Sequence, residues 1–317
     1  MQTRSAKRLD RSVSEIGYGM WGMADWAASD DTESEASLDE AVNRGVTFFD
    51  TAASYGDGHS ERLLGHLLKR HPGRDLYVAT KVAPKNMRWP ATSEYSVADT
   101  FPEDHVRQSV ERSLTNLGVE TIDLMQFHVW DDAWTDDPQL ERTMRSITDE
   151  GLVRHWGISL NRWEPWNGLK AIENERIAAV QVVYNAFDQS PEDELLPRCA
   201  ELGVAVIARV PFDEGSLTGT LEPGSTFEAT DPRRRYFADG NLEATLDRVA
   251  RLKRDVPEGM SLPEFALRYI LASPHVTTVI PGMRRRAHVI ANTSVSDGAQ
   301  LSDDVLTTVR ANHRWER

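Results

Sequence analysis

Four polar side chains close apolar, β-branched segments of this chain. Asp50 ends FFD, Lys81 follows VAT, His128 ends DLMQFH and Ser159 ends WGIS, while Tyr55 stands five residues after Asp50 in TAASYGDGHSE. Each alone has an ordinary reading: a cap, a surface lysine, a hydrogen-bonded core histidine, a loop anchor. Together they supply a carboxylate, an ammonium, a phenol and an imidazole, the equipment of proton transfer. A fold that gathers neighbouring strand ends would bring them to one place.

The elements that must position them recur along the chain. Strand-like runs at 14–19, 46–50, 76–82, 122–128, 153–159, 178–184, 204–210 and 276–281 alternate with helix-like stretches at 34–44, 60–70, 102–117, 138–150, 163–174, 191–202 and 261–272. Gly45, Gly118, Gly151 and Gly203 stand where helix C-terminal glycines belong. Eight βα units without a composition break predict an α/β protein. The expected architecture is a single (β/α)8 TIM barrel domain over 1–317, with parallel strands inside and helices outside. Two connections are long, 83–101 after the third strand and 211–241 after the seventh. Both follow strands, so both are expected on the C-terminal rim, where barrel active sites are built. Residues 302–317 read as a terminal helix outside the repeat.

Bulk properties narrow the function classes. The 317 residues are 40% hydrophobic, and no apolar run approaches the roughly 20 residues that cross a bilayer. The start, MQTRSAKRLD, lacks the apolar stretch of a secretory signal. A formal charge of −14 disfavours nucleic acid or an anionic membrane as partner. Cys199 is the only cysteine, which excludes an intramolecular disulfide and a thiolate metal cluster and favours a reducing, cytoplasmic setting. No metal site is expected, and the oligomeric state is open.

FFDTAASYGDGHSERLLG, ATKV and LMQFH, in this order, resemble the aldo-keto reductase superfamily, and the resemblance runs from about Gly17 to Asn292. It implies a catalytic tetrad of Asp50, Tyr55, Lys81 and His128 working with a nicotinamide cofactor extended across the barrel mouth. The chemistry suits the residue types. Hydride transfer to a carbonyl puts negative charge on oxygen, so a proton donor must stand within hydrogen-bond reach. A free phenol is a weak acid, with a pKa of about 10. An ammonium beside it is expected to lower that value, and a carboxylate behind the ammonium to keep it charged and oriented. His128 would orient the substrate carbonyl.

The resemblance also implies cofactor contacts. Ser159 and Gln181 match positions that hydrogen-bond the nicotinamide carboxamide, with Asn161 displaced one residue from its usual place by Leu160. ARVPFDEGSLTG resembles the segment beneath the pyrophosphate, bringing in Pro211, Gly215 and Leu217. Arg209 stands there where an aromatic usually stacks on the nicotinamide. In IPGMRRRAHVIAN, Gly282, Arg284, His288 and Asn292 match the segment that binds the adenosine 2′-phosphate. A guanidinium fork there favours NADP(H) over NAD(H). Arg285 and Arg286 read as a solvated face.

Trp21 matches a position lining the substrate pocket, and Trp89 is placed there too; Trp130 and Trp134 read equally well as packed loop anchors. The expected activity is NADPH-dependent transfer of hydride to an aldehyde, ketone or keto-sugar, with the small-molecule carbonyl or sugar as the partner. The alternative is a cofactor-binding, redox-sensing regulatory subunit with little turnover. A metal-dependent hydrolase would need a cluster around His128, for which Asp131 and Asp132 are the nearest acids in sequence.

Overall fold

The structure, a computed structural model, describes residues 1–24 and 30–315. The chain opens with an antiparallel hairpin, β1 (Thr3–Ala6) and β2 (Arg11–Ser14). Eight strands follow, each pairing in parallel with the next in chain order: β3 (Tyr18–Gly19), β4 (Phe48–Asp50), β5 (Tyr77–Val82), β6 (Ile122–Phe127), β7 (Val153–Ser159), β8 (Ile177–Val183), β9 (Ala205–Arg209) and β10 (Thr278–Val279). The sheet closes on itself where Gly17 N donates to Val279 O at 2.8 Å and Gly19 N to Pro281 O at 3.0 Å. Closure requires glycine at 19, because a Cβ there would stand 2.6 Å from Ile280 O. The expected (β/α)8 barrel is therefore the observed fold.

Helices surround the strands: α1 (Asp31–Asn43), α2 (His59–Arg70), α3 (Val97–Thr100), α4 (Glu103–Leu117), α5 (Pro138–Asp149), α6 (Leu195–Leu202), α7 (Arg233–Tyr236), α8 (Asn241–Leu252), α9 (Leu262–Leu271), α10 (Arg286–Ser294) and α11 (Asp303–Asn312). Strands such as β5 and β8 are buried along their whole length, as a parallel sheet covered on both faces must be. Outward, β5 packs on α4, and the apolar faces carrying Leu63, Leu64 and Leu67 of α2 and Val106 and Val110 of α4 belong to the same core. Inward, Phe48, Tyr77, Leu124, Ala179 and Ile207 meet Leu9 and Val13 of the hairpin segment, which plugs the N-terminal end. The opposite end is left to build a site. No helix among the described residues is long and apolar enough to cross a membrane.

Several sequence expectations need correction. The helix expected over 163–174 is only a single 3-10 turn, Ala171–Glu173. Trp163 takes a left-handed φ of 65°, and a Cβ at Gly168 would press within 2.7 Å of Leu160. The run at 14–19 splits between β2 and β3, and only two residues of 276–281 hold a regular ladder. The stretch 191–202 is a 3-10 turn, Ser190–Glu192, followed by α6. The hairpin, α8 and α10 carried no expectation. The terminal helix stops at Asn312, and 316–317 of the expected span lie outside the described residues.

Candidate active site

Register decides which side chains meet at the open end. Lys81 of β5 pairs with Gln126 of β6, which pairs with Gly157 of β7, and Ser159 of β7 pairs with Gln181 of β8. Asp50 ends β4, and a tight turn in which Tyr55 N donates to Ala52 O at 3.0 Å carries the phenol back over that strand end. His128 follows β6, its backbone N–H bonded to Val82 O at 3.0 Å.

Lys81 Nζ, fully buried, donates to Asp50 Oδ1 at 2.5 Å, to Thr51 O at 2.7 Å and to Tyr55 Oη at 3.4 Å. The second oxygen of Asp50 accepts from Gln126 Nε2 at 3.0 Å and Gln181 Nε2 at 2.8 Å. His128 stands edge-on to Tyr55 with ring centres 5.7 Å apart, and its Nδ1 lies 3.4 Å from Ser54 Oγ. The sequence-named Asp50, Tyr55, Lys81 and His128 thus converge, with Lys81 behind the wall and the other three facing a cleft of about 760 Å³.

The electrostatics differ in one respect from expectation. Burial pushes the Tyr55 phenol above its ordinary value, Lys81 opposes this, and the net direction is up. The ammonium therefore moderates the phenol's pKa without lowering it below that of a free tyrosine. Burial works against the charge of Lys81, but Asp50 and then Tyr55 outweigh it and raise its pKa. Burial, reinforced by Lys81 and Arg209, holds the His128 pKa well below the usual value. At neutral pH the site contains a protonated phenol, an ammonium and a neutral imidazole.

The remaining sequence-named residues are spread over the cleft, the core and the surface. Ser159, Asn161, Gln181, Arg209, Pro211, Gly215, Gly282, Arg284 and His288 line the cleft, with Trp21 and Trp89 at its mouth, 38% and 43% exposed. Trp89 stands edge-on to His128 at 4.7 Å. Asn161 also pins the long loop after β5, exchanging two 3.0 Å hydrogen bonds with the backbone of Ala91. Leu217 and Asn292 are buried away from the cleft lining. Trp130 and Trp134 are buried anchors, packing against Phe127 and Phe101 respectively. Asp131 and Asp132 cap local turns, at Ala133 N and at Lys170 N and Ala171 N. Arg286 pairs with Glu40 on the surface at 3.0 Å.

A model of the Aldo/keto reductase family matches residues 15–313. The chain belongs to the aldo/keto reductase family. An aldo-keto reductase of Strobilurus tenacellus is 32% identical over 314 residues, 94% of this chain and 88% of that protein. A Schizosaccharomyces pombe relative, named as an NADP(+) aldo-keto reductase, is 26% identical over 94% of this chain and 88% of its own. The structure of a glycerol dehydrogenase from Gluconobacter oxydans superposes with a TM-score of 0.80 at 27% identity, covering 98% of this chain and 95% of that one. The chain is accordingly an oxidoreductase.

Two features of this aldo/keto reductase escaped sequence reading. Gln126 lies within LMQFH, and its signal is an amide among the buried apolar residues Leu124, Met125 and Phe127 of β6. Arg162 is the larger omission. Its guanidinium bonds to Asp213 at 2.6 Å, Asp188 at 2.9 Å, Glu214 at 3.1 Å and Tyr236 Oη at 3.1 Å. It clasps the loop after β9 to the ends of β7 and β8. That loop is strained, with left-handed φ at the non-glycine residues Val210 (56°), Asp213 (44°) and Glu214 (54°).

Proposed function

We propose that this aldo/keto reductase is an NADPH-dependent carbonyl reductase acting on an aldehyde, ketone or keto-sugar, with Tyr55 as proton donor. One relationship carries the reading: Lys81 Nζ lies between Asp50 Oδ1 and Tyr55 Oη, at 2.5 and 3.4 Å. Three features of the cleft fit a nicotinamide dinucleotide. It is large enough for an extended ligand, it offers Ser159 and Gln181 beside Tyr55, and the guanidinium of Arg209 at its floor has a buried Nε without a hydrogen-bond partner. Arg284 adds a cation away from the tetrad, with the imidazole of His288 nearby as a neutral polar group, and a guanidinium fork suits a terminal phosphate, which supports NADPH over NADH.

A reduced nicotinamide, when bound, supplies the hydride that forms the new C–H bond at the carbonyl carbon. Tyr55 Oη gives its proton to the carbonyl oxygen, so a neutral alcohol leaves. Because burial keeps the phenol protonated in the resting site, the acid is loaded at neutral pH. As the proton departs, charge develops on Tyr55 Oη beside Lys81 Nζ, where an ammonium already fixed by Asp50 and Thr51 O stabilises it without reorganising. Neutral His128 can hydrogen-bond the carbonyl oxygen without competing as the acid.

The test is NADPH oxidation with a panel of aldehydes, ketones and keto-sugars, wild type against Tyr55→Phe. At least one carbonyl should turn over, and the variant should lose most of that rate. NADPH binding with no carbonyl reduced above the Tyr55→Phe rate would replace this reading with that of a cofactor-binding sensor.

A further inference from the structure

Two guanidinium groups face the cleft, and the Nε of each is buried without a hydrogen-bond partner; they differ in their counter-ions. The terminal nitrogens of Arg162 bond three carboxylates and a phenol. Arg209, at the end of β9, donates to Leu160 O at 2.9 Å, and its Nε is buried without a partner. Among the described residues no carboxylate forms an ion pair with it. Tyr55 and Asp50, on the cleft floor, are within its electrostatic reach, with Glu214 and Arg162. A cation kept from water without a counter-ion is costly, and such groups persist where a ligand meets them.

We propose that Arg209 sets the redox preference of the cofactor site: its unpaired charge accepts the neutral, reduced nicotinamide ring and works against the cationic, oxidised one. This inference rests on the carbonyl-reductase reading. A ring that delivers hydride to a carbonyl held at Tyr55 Oη must lie within reach of the carbonyl carbon, and therefore near Arg209. The phosphates, riboses and adenine are identical in the two forms and cancel from the comparison. What remains is one positive charge, present on the oxidised ring and absent from the reduced one, brought against a guanidinium in a poorly hydrated cleft. The neutral ring can still stack on the guanidinium plane. The site then captures NADPH and releases NADP+ readily once the alcohol has formed.

Equilibrium dissociation constants for NADPH and NADP+, measured by quenching of tryptophan fluorescence, decide the matter without turnover. Wild type should bind NADPH at least ~tenfold more tightly than NADP+, a modest fraction of the repulsion between two such charges. Arg209→Met should bring the ratio towards one by favouring NADP+, and Arg209→Lys, which keeps the charge, should preserve it. A wild-type ratio at or below one overturns the proposal, even if the methionine variant does not fold. So does an Arg209→Met variant that weakens both forms equally, which would mean that Arg209 binds a phosphate. If wild type binds neither form, the carbonyl-reductase reading falls as well; equal binding of both sinks only the assignment to Arg209.

Discussion

Lys81 Nζ is 2.5 Å from Asp50 Oδ1 but 3.4 Å from Tyr55 Oη, so at rest the ammonium belongs to the carboxylate and only leans on the phenol. The asymmetry agrees with the direction of both shifts: the lysine is held charged, and the tyrosine remains a protonated acid. In the proposed reaction the weaker contact is the one that strengthens, because the phenol becomes an anion as its proton leaves. An interaction made chiefly in the transition state raises kcat rather than affinity.

Lys81→Met is therefore expected to lower kcat by about 10²- to 10⁴-fold, the range of positioned proton transfer, and to leave NADPH binding nearly intact. Steady-state rates and a fluorescence titration on the folded variant check both halves. A loss of kcat smaller than about tenfold would remove Lys81 from the proton-donor unit.

The pH dependence of reduction follows from the same site. Reduction needs Tyr55 protonated, so activity should persist below its pKa and fall as pH rises through it. Because burial raises that pKa above the free value of 10.0, the alkaline limb of kcat/KM should lie above pH 10 in the free enzyme. His128 is displaced the other way, well below 6.5, so no inflection should occur near that pH. A profile measured from pH 5.5 to 10.5 that bends near 6.5 would mean that His128 titrates as in water and is charged in the weakly acidic range.

The difference between what was legible and what was not lies in the range of the interactions. Asp50, Lys81 and His128 could be read because each ends a short apolar run, and a strand end in a closed parallel barrel has one destination. Gln126 was hidden inside such a run. It fits because its register neighbour Gly157 has no side chain, where a Cβ would stand 3.2 Å from Gln126 Cγ. The Arg162 clasp joins residues 26, 51 and 52 positions apart, and no local pattern encodes that. The false helix at 163–174 shows the converse: Leu169 to Glu173 suit a helix, but Pro165, Gly168 seated against Leu160, and the left-handed turn at Trp163 confine regular structure to Ala171–Glu173.

Arg162→Ala should destabilise the fold by about 3 to 5 kcal/mol, because it leaves Asp213 and Asp188, both buried, without their cation. Chemical denaturation measures this directly. Adding Asp213→Asn should cost less than the sum of the two single changes, since the second removes one of the stranded charges. Strict additivity in that cycle would show that the pair is not coupled and that the loop after β9 is held by other contacts.

At the other end of the cleft, the expected cofactor preference rests on charges that crowd one another. Burial, with Arg285 and then Arg233, lowers the Arg284 pKa, and burial with Arg285 and Arg284 lowers that of His288. A terminal phosphate would relieve this repulsion, whereas a ribose hydroxyl would not. Arg284→Ala should therefore raise the dissociation constant of NADPH by about 10- to 150-fold, the worth of a charge-assisted hydrogen bond, and that of NADH far less. Glu33 acts in the opposite sense. Its carboxylate accepts from the backbone N–H of Arg286 at 3.0 Å, at the start of α10, and its charge is felt by His288. Glu33→Gln should strengthen NADPH binding by about two- to fivefold, the scale of a single charge at a helix terminus, with NADH unaffected. Titration of both cofactors against both variants gives two opposite displacements if the phosphate lies here. Equal changes for NADPH and NADH in either variant would place the phosphate elsewhere in the cleft.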